Sequence, residues 1–85
     1  MLTKIERFEL EDMANNLKSV IEMRSFARKK IFKLIRKDID YLKRHNPWAF
    51  GKMERGYSSE INDSRLVEIC SHLIECSIKR EAARG

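Results

Sequence analysis

At 85 residues the chain forms one domain at most, and a chain of this size removes only about two thirds of its unfolded surface from water. Its residues are 42% hydrophobic and 36% charged, which suits long helices with exposed polar faces, while three glycines and one proline leave too little turn material for a many-stranded β fold. The net charge of +5 is uneven: residues 24–55 hold 11 basic against 3 acidic residues (+8), residues 1–23 hold 3 against 5 (−2), and residues 56–85 hold 4 against 5 (−1).

A cationic zone between two mildly acidic ends points to a polyanionic partner. No run approaches the roughly 20 apolar residues of a membrane span. The opening MLTKIERFELED is charged where a secretory signal needs an apolar core. A cytoplasmic protein without membrane association is expected. Cys70 and Cys76 are expected as free thiols, since nothing in the sequence suggests an oxidising compartment.

The first element begins at Thr3, which forms a capping box with Glu6. No glycine or proline precedes Pro47. Leu2, Leu10, Met13, Leu17, Val20, Ile21, Ala27, Ile31, Leu34, Ile35, Ile39 and Leu42 share roughly half of a helical wheel at about 100° per residue. The preserved phase predicts a long N-terminal helix over about residues 3–44. The alternative is a kink or break between Asn15 and Ser25, where Asn15, Asn16, Ser19 and the Met23–Ser25 stretch are weak points and Ser25 is itself a capping residue. Lys43, Arg44 and His45 suit the negative end of a helix, and Asn46 before Pro47 is pushed out of helical geometry.

Residues 45–62 read as one aromatic-bearing loop, with Pro47, Gly51 and Gly56 alongside Trp48, Phe50 and Tyr57, and Pro47–Phe50 forming at most a short helical turn. A second helix follows from about residue 63 to 81, capped by Asn62, Asp63 or Ser64. Leu66, Val67, Cys70, Leu73, Ile74, Ser77 and Ile78 fall on its one largely apolar face. The expected fold is therefore all-α: a single helical domain in which the C-terminal helix packs back on the long one as a helical hairpin. The apolar stripe is longer than one short helix covers, so a homodimer or a helical partner is expected to cover the remainder.

Lys29, Lys30, Lys33, Arg36, Lys37, Lys43 and Arg44 fall within roughly 140° of the wheel, opposite the apolar stripe, with Asp40 the one acid among them. Such a face is suited to tracking the phosphates of DNA or RNA, or to an acidic protein partner; a plain solvated surface is the competing reading. Arg24, Arg28 and Asp38 lie on the apolar side, where an unpaired charge is costly. They need partners on the last helix, with Glu68 and Glu75 as candidates, or across an interface. Trp48 and Phe50, with Tyr57, stand next to the basic helix end; such aromatics stack bases in some proteins but more often close a core or an interface.

No catalytic constellation and no phosphate-cradling glycine loop occurs, so no enzymatic activity and no cofactor are expected. His45, Cys70, His72 and Cys76 lack zinc-ligand spacing, and no metal is expected. A helix-turn-helix needs a shorter connection and a ribbon-helix-helix needs an N-terminal strand; neither pattern is met. The expected function is a small non-catalytic regulatory protein that contacts nucleic-acid phosphates through residues 29–44. The alternative is a protein-interaction module (inhibitor, adaptor or chaperone) using the apolar stripe with Arg24 and Arg28.

Overall fold

In the computed structural model, which describes residues 2–17 and 21–84, every regular element is helical. The order is α1 (Lys4–Asn16), α2 (Ile21–Ile35), a 3-10 turn (Arg36–Asp38), α3 (Ile39–His45), α4 (Pro47–Glu54), a second 3-10 turn (Ser58–Glu60) and α5 (Asp63–Arg84). The all-α expectation holds. No helix among the described residues is long and apolar enough to cross a membrane.

The single N-terminal helix does not hold. A continuous helix over residues 3–44 is about 60 Å long, whereas the longest dimension of the molecule is 40 Å. Instead α1 ends at Asn16 with Leu17 as its C-cap, near the Asn15–Asn16 weak point, and Ser25 lies inside α2 rather than at a break. Ser19 and Val20 lie outside the described residues. A second interruption comes at Asp38, whose backbone (φ −132°, ψ 46°) leaves the helical region between the 3-10 turn and α3. The physical reason is the core: two short helices folded on each other bury one another's stripes, which a straight rod of this length cannot do.

Side-chain pairings fix how the helices run. Glu6, near the start of α1, pairs with Lys37, just past the end of α2, so α1 and α2 are antiparallel. Arg24 and Arg28 on α2 reach Asp63 at the start of α5, while Asp38 after α2 meets Arg80 near the end of α5, so α2 and α5 run in the same direction. Leu10, Ala27, Ile31, Leu34, Ile35, Tyr41, Leu42, Leu66, Cys70 and Leu73 form the shared core. Among the described residues, most of the stripe that suggested a second chain is buried within this fold.

Local signals explain the ends. Thr3 Oγ1 accepts from Glu6 N (3.2 Å) and Glu6 Oε1 accepts from Thr3 N (2.9 Å), completing the capping box. Asn46 adopts φ −145° and accepts from Ala49 N through its side chain (3.2 Å), with Pro47 at the first position of α4. The expected loop 45–62 is therefore largely helical, because Asn46 and Pro47 start a helix as well as stop one. That helix closes at Gly56, whose φ of 79° lets its N–H reach Met53 O (3.2 Å) while Tyr57 N reaches Lys52 O (2.7 Å), a Schellman stop. Asn62 caps α5 by accepting from Arg65 N (2.9 Å).

The chain's beginning is fastened to α5. Leu2 is 1% exposed, and its carbonyl accepts from the Oγ of the fully buried Ser77 (3.0 Å). The same hydroxyl accepts from Arg7 Nη1 (3.1 Å), and Arg7 also pairs with Glu81.

Candidate functional site

The basic residues divide into two groups. Lys29, Lys30, Lys33 and Arg36 project from α2 and the turn after it, on the side away from the core, with Lys30 partly buried and the others exposed. Among the described residues none of these four makes an ion pair. They stand in tiers one helical turn, about 5.4 Å, apart. Lys37 is different: it pairs with Glu6 at 2.5 Å. That pair holds the Glu6 carboxyl below its usual range, with the Thr3 backbone N–H helping, and raises the Lys37 ammonium above its own. The expectation that Lys37 stands free is corrected.

Lys43 and Arg44 are exposed but belong to α3, beyond the non-helical backbone of Asp38. The wheel that placed all seven cations on one arc assumed an unbroken helix, so the continuous face ends at residues 36–37. Lys43 Nζ instead stands 5.8 Å from the centre of the half-buried Phe50 ring.

The charges on the apolar side find partners inside the chain: Arg28 and Asp38 are largely buried, while Arg24 stays exposed at the rim. Arg28 donates to Asp63 Oδ1 (2.6 Å) and through its other nitrogen to the carbonyls of Ile61 (2.7 Å) and Ser58 (3.2 Å). Arg24 pairs with the second oxygen of Asp63. Burial raises the Asp63 carboxyl, but the hydrogen bonds and charges of the two arginines outweigh it and leave the group below its usual range. The acid is Asp63 rather than Glu68 or Glu75. Asp38 accepts from Arg80 (3.3 Å), which also covers the Tyr41 ring at 5.7 Å.

Trp48 is 41% exposed, yet Arg65 stands 4.5 Å and Lys52 5.7 Å from its ring centre. Lys52 is shared with Tyr57 (5.8 Å) and is held by Glu60 (2.6 Å). The aromatics of this region are thus engaged with cations of the same fold. Burial pushes the Cys70 thiol up to about 12, and Cys70 and Cys76 are both free. Among the described residues no group of three or more His, Cys, Asp or Glu side chains is placed to hold a metal.

A cleft between α3 and α5, lined by Tyr41, His45, Asn46, Glu68 and His72, has a volume of about 120 Å³, below the roughly 300 Å³ at which small-molecule sites begin. The open grooves on α2 are wider. One of about 340 Å³ is lined by Phe26, Lys29, Lys30 and Lys33. The other, about 250 Å³, lies between α1 and α2 and is lined by Glu9, Lys30, Lys33, Leu34 and Lys37. They share Lys30 and Lys33, which form the ridge between them.

Sequence reasoning missed Phe26. Its signal was available: it lies off the apolar stripe, and Lys29, Lys30 and Lys33 follow at i+3, i+4 and i+7, the positions that share its face. Comparison with protein-family models, with curated proteins and with solved structures finds no match for this chain.

Proposed function

We propose that this is a small, non-catalytic regulatory protein of the cytoplasm that binds nucleic acid through the phosphate backbone. Lys29, Lys30, Lys33 and Arg36 make the principal contacts, and Lys37, Lys43 and Arg44 add charge at the margins. The observation that supports the reading is the outer face of α2: tiered cations that make no ion pair among the described residues, with Glu9 the one acid lining their grooves. Cations at this spacing displace counterions from a phosphate chain, so affinity falls steeply with salt. The sequence offers no base-reading motif, so little sequence preference is expected.

The test is fluorescence anisotropy with labelled DNA and RNA oligonucleotides at low salt. Wild-type protein is expected to bind, and the Lys29→Glu, Lys30→Glu, Lys33→Glu triple variant is expected to lose binding with an unchanged far-UV circular dichroism spectrum. Wild-type protein that binds no nucleic acid at low salt ends the reading.

A second reading, the protein-interaction module, now rests on different residues. Arg24 and Arg28 are engaged by Asp63, but Ile5 (71% exposed), Phe8 (63%) and Ile78 (51%) leave an apolar surface on α1 and α5. A homodimer or another protein partner is the proposal that surface supports. A salt-resistant complex or a dimer mass in light scattering, lost on Phe8→Asp, distinguishes it from the phosphate reading.

A further inference from the structure

Phe26 is 57% exposed and stands one turn before Lys29 and Lys30 on the lysine face, and Met23, one turn earlier, is 46% exposed. Isolated exposed apolar residues are ordinary. This one is unusual in its company, because a face kept only for solubility gains nothing from an aromatic ring among its cations. Phe8, Trp48 and Tyr57 are also exposed aromatics, but cations of the fold stand over the rings of the last two, and Phe8 shares its groove with Ile74 and Ile78. Among the described residues no cation stands over Phe26. Its ring is open on the same groove that Lys29, Lys30 and Lys33 line.

We infer that the nucleic acid this face takes is single-stranded, with one base stacked on Phe26 and the adjoining phosphates running along the Lys30–Lys33 ridge. The inference rests on the phosphate-binding reading above and adds the class of ligand. A duplex presents phosphates outward and keeps its bases stacked on one another, so an exposed ring on the protein meets nothing there unless it wedges into the minor groove. A single strand offers unstacked base faces beside its charges, the pairing that aromatic and cationic side chains recognise together. An anionic membrane is the other surface that takes lysines with an apolar residue. Interfacial binding needs a broad apolar face, however, and that of α2 is buried: Ala27, Ile31, Leu34 and Ile35 are each at most 4% exposed.

The test compares wild type, Phe26→Ala, Phe26→Tyr and Lys33→Glu against labelled oligo-dT, a duplex of equal charge, and phosphatidylserine vesicles. Phe26 bears no buried contact network, and circular dichroism checks that each variant folds. Wild type is expected to prefer oligo-dT. Phe26→Ala is expected to weaken that binding about tenfold and duplex binding less than about twofold, Phe26→Tyr to restore it, and Lys33→Glu to weaken both. Wild type that binds both nucleic acids equally, with Phe26→Ala without effect on oligo-dT, overturns this inference and leaves the phosphate reading standing. Failure of wild type to bind either nucleic acid overturns both. Vesicle binding that depends on Phe26 while oligo-dT binding does not assigns the face to membranes and overturns the inference.

Discussion

The segment of α2 and the turn after it carries two cations on one side and four on the other, and the structure uses the two sides oppositely. Arg24 and Arg28 face Asp63 and two carbonyls at the start of α5. Lys29, Lys30, Lys33 and Arg36 face outward and have no acid partner among the described residues. Each of these side chains carries the same formal charge of one. What separates a structural cation from one available to a ligand is whether the fold supplies its counter-charge, and that is a property of tertiary pairing rather than of composition.

The sharpest test of that contrast is Arg28→Ala. It removes an ion pair and two hydrogen bonds at a site where the arginine side chain is 18% exposed. A loss of about 3 kcal/mol is expected, read as a fall of ~12–24 °C in the thermal midpoint for a domain of this size. A change below about 0.5 kcal/mol makes the Asp63 corner an ordinary surface pair and erases the distinction. Lys33→Glu is the mirror experiment: an unchanged midpoint with oligonucleotide affinity lowered about tenfold, a loss of ~1.4 kcal/mol in binding. If the midpoint falls instead, Lys33 is engaged in the fold.

The pH dependence sharpens the same comparison. Asp63 has a lowered pKa in the folded protein, so its contribution is complete above the ordinary carboxylate range. It is lost as pH falls from there through the folded value. Asp63→Asn is expected to flatten the acid limb of the stability curve measured by thermal melts across that range, and an unchanged limb rules out the corner as its source. Glu6 follows the same sign, through Lys37. Lys37→Gln is the smallest effect: with the lysine side chain 58% exposed, the thermal midpoint is expected to stay within the error of the measurement. A measurable fall means that the Glu6–Lys37 pair does more than bridge α1 to the turn after α2.

Much of this was legible in the residues. Of the apolar stripe, Leu2, Leu10, Leu17, Ala27, Ile31, Leu34, Ile35 and Leu42 are buried and Met13 and Ile39 partly so, while Val20 and the Ile21 side chain lie outside the description. Thr3 and Glu6 gave the first cap, and Asn46 gave the end of α3. The single long helix was not legible correctly, because a wheel reports which residues are apolar and not whether they share an axis. Two helices folded on one another each need an apolar side, and their sequences read as one stripe when laid end to end. The α4 helix was hidden because proline and glycine were read as breakers, when Pro47 starts it and Gly56 ends it. On the candidate site, the cations were visible from spacing alone. The removal of Lys37 from the free set, and the partner of Arg24 and Arg28, depend on where acids fall in space.

The fastening of Leu2 to Ser77 has a practical bearing on every binding measurement above. A fluorophore carried on Leu2 or Ser77 breaks into a seam in which both residues are at most 1% exposed and the Leu2 carbonyl is already taken. Ala82 and Ala83 are exposed, so a label on either stands clear of the packed seam and of the lysine ridge.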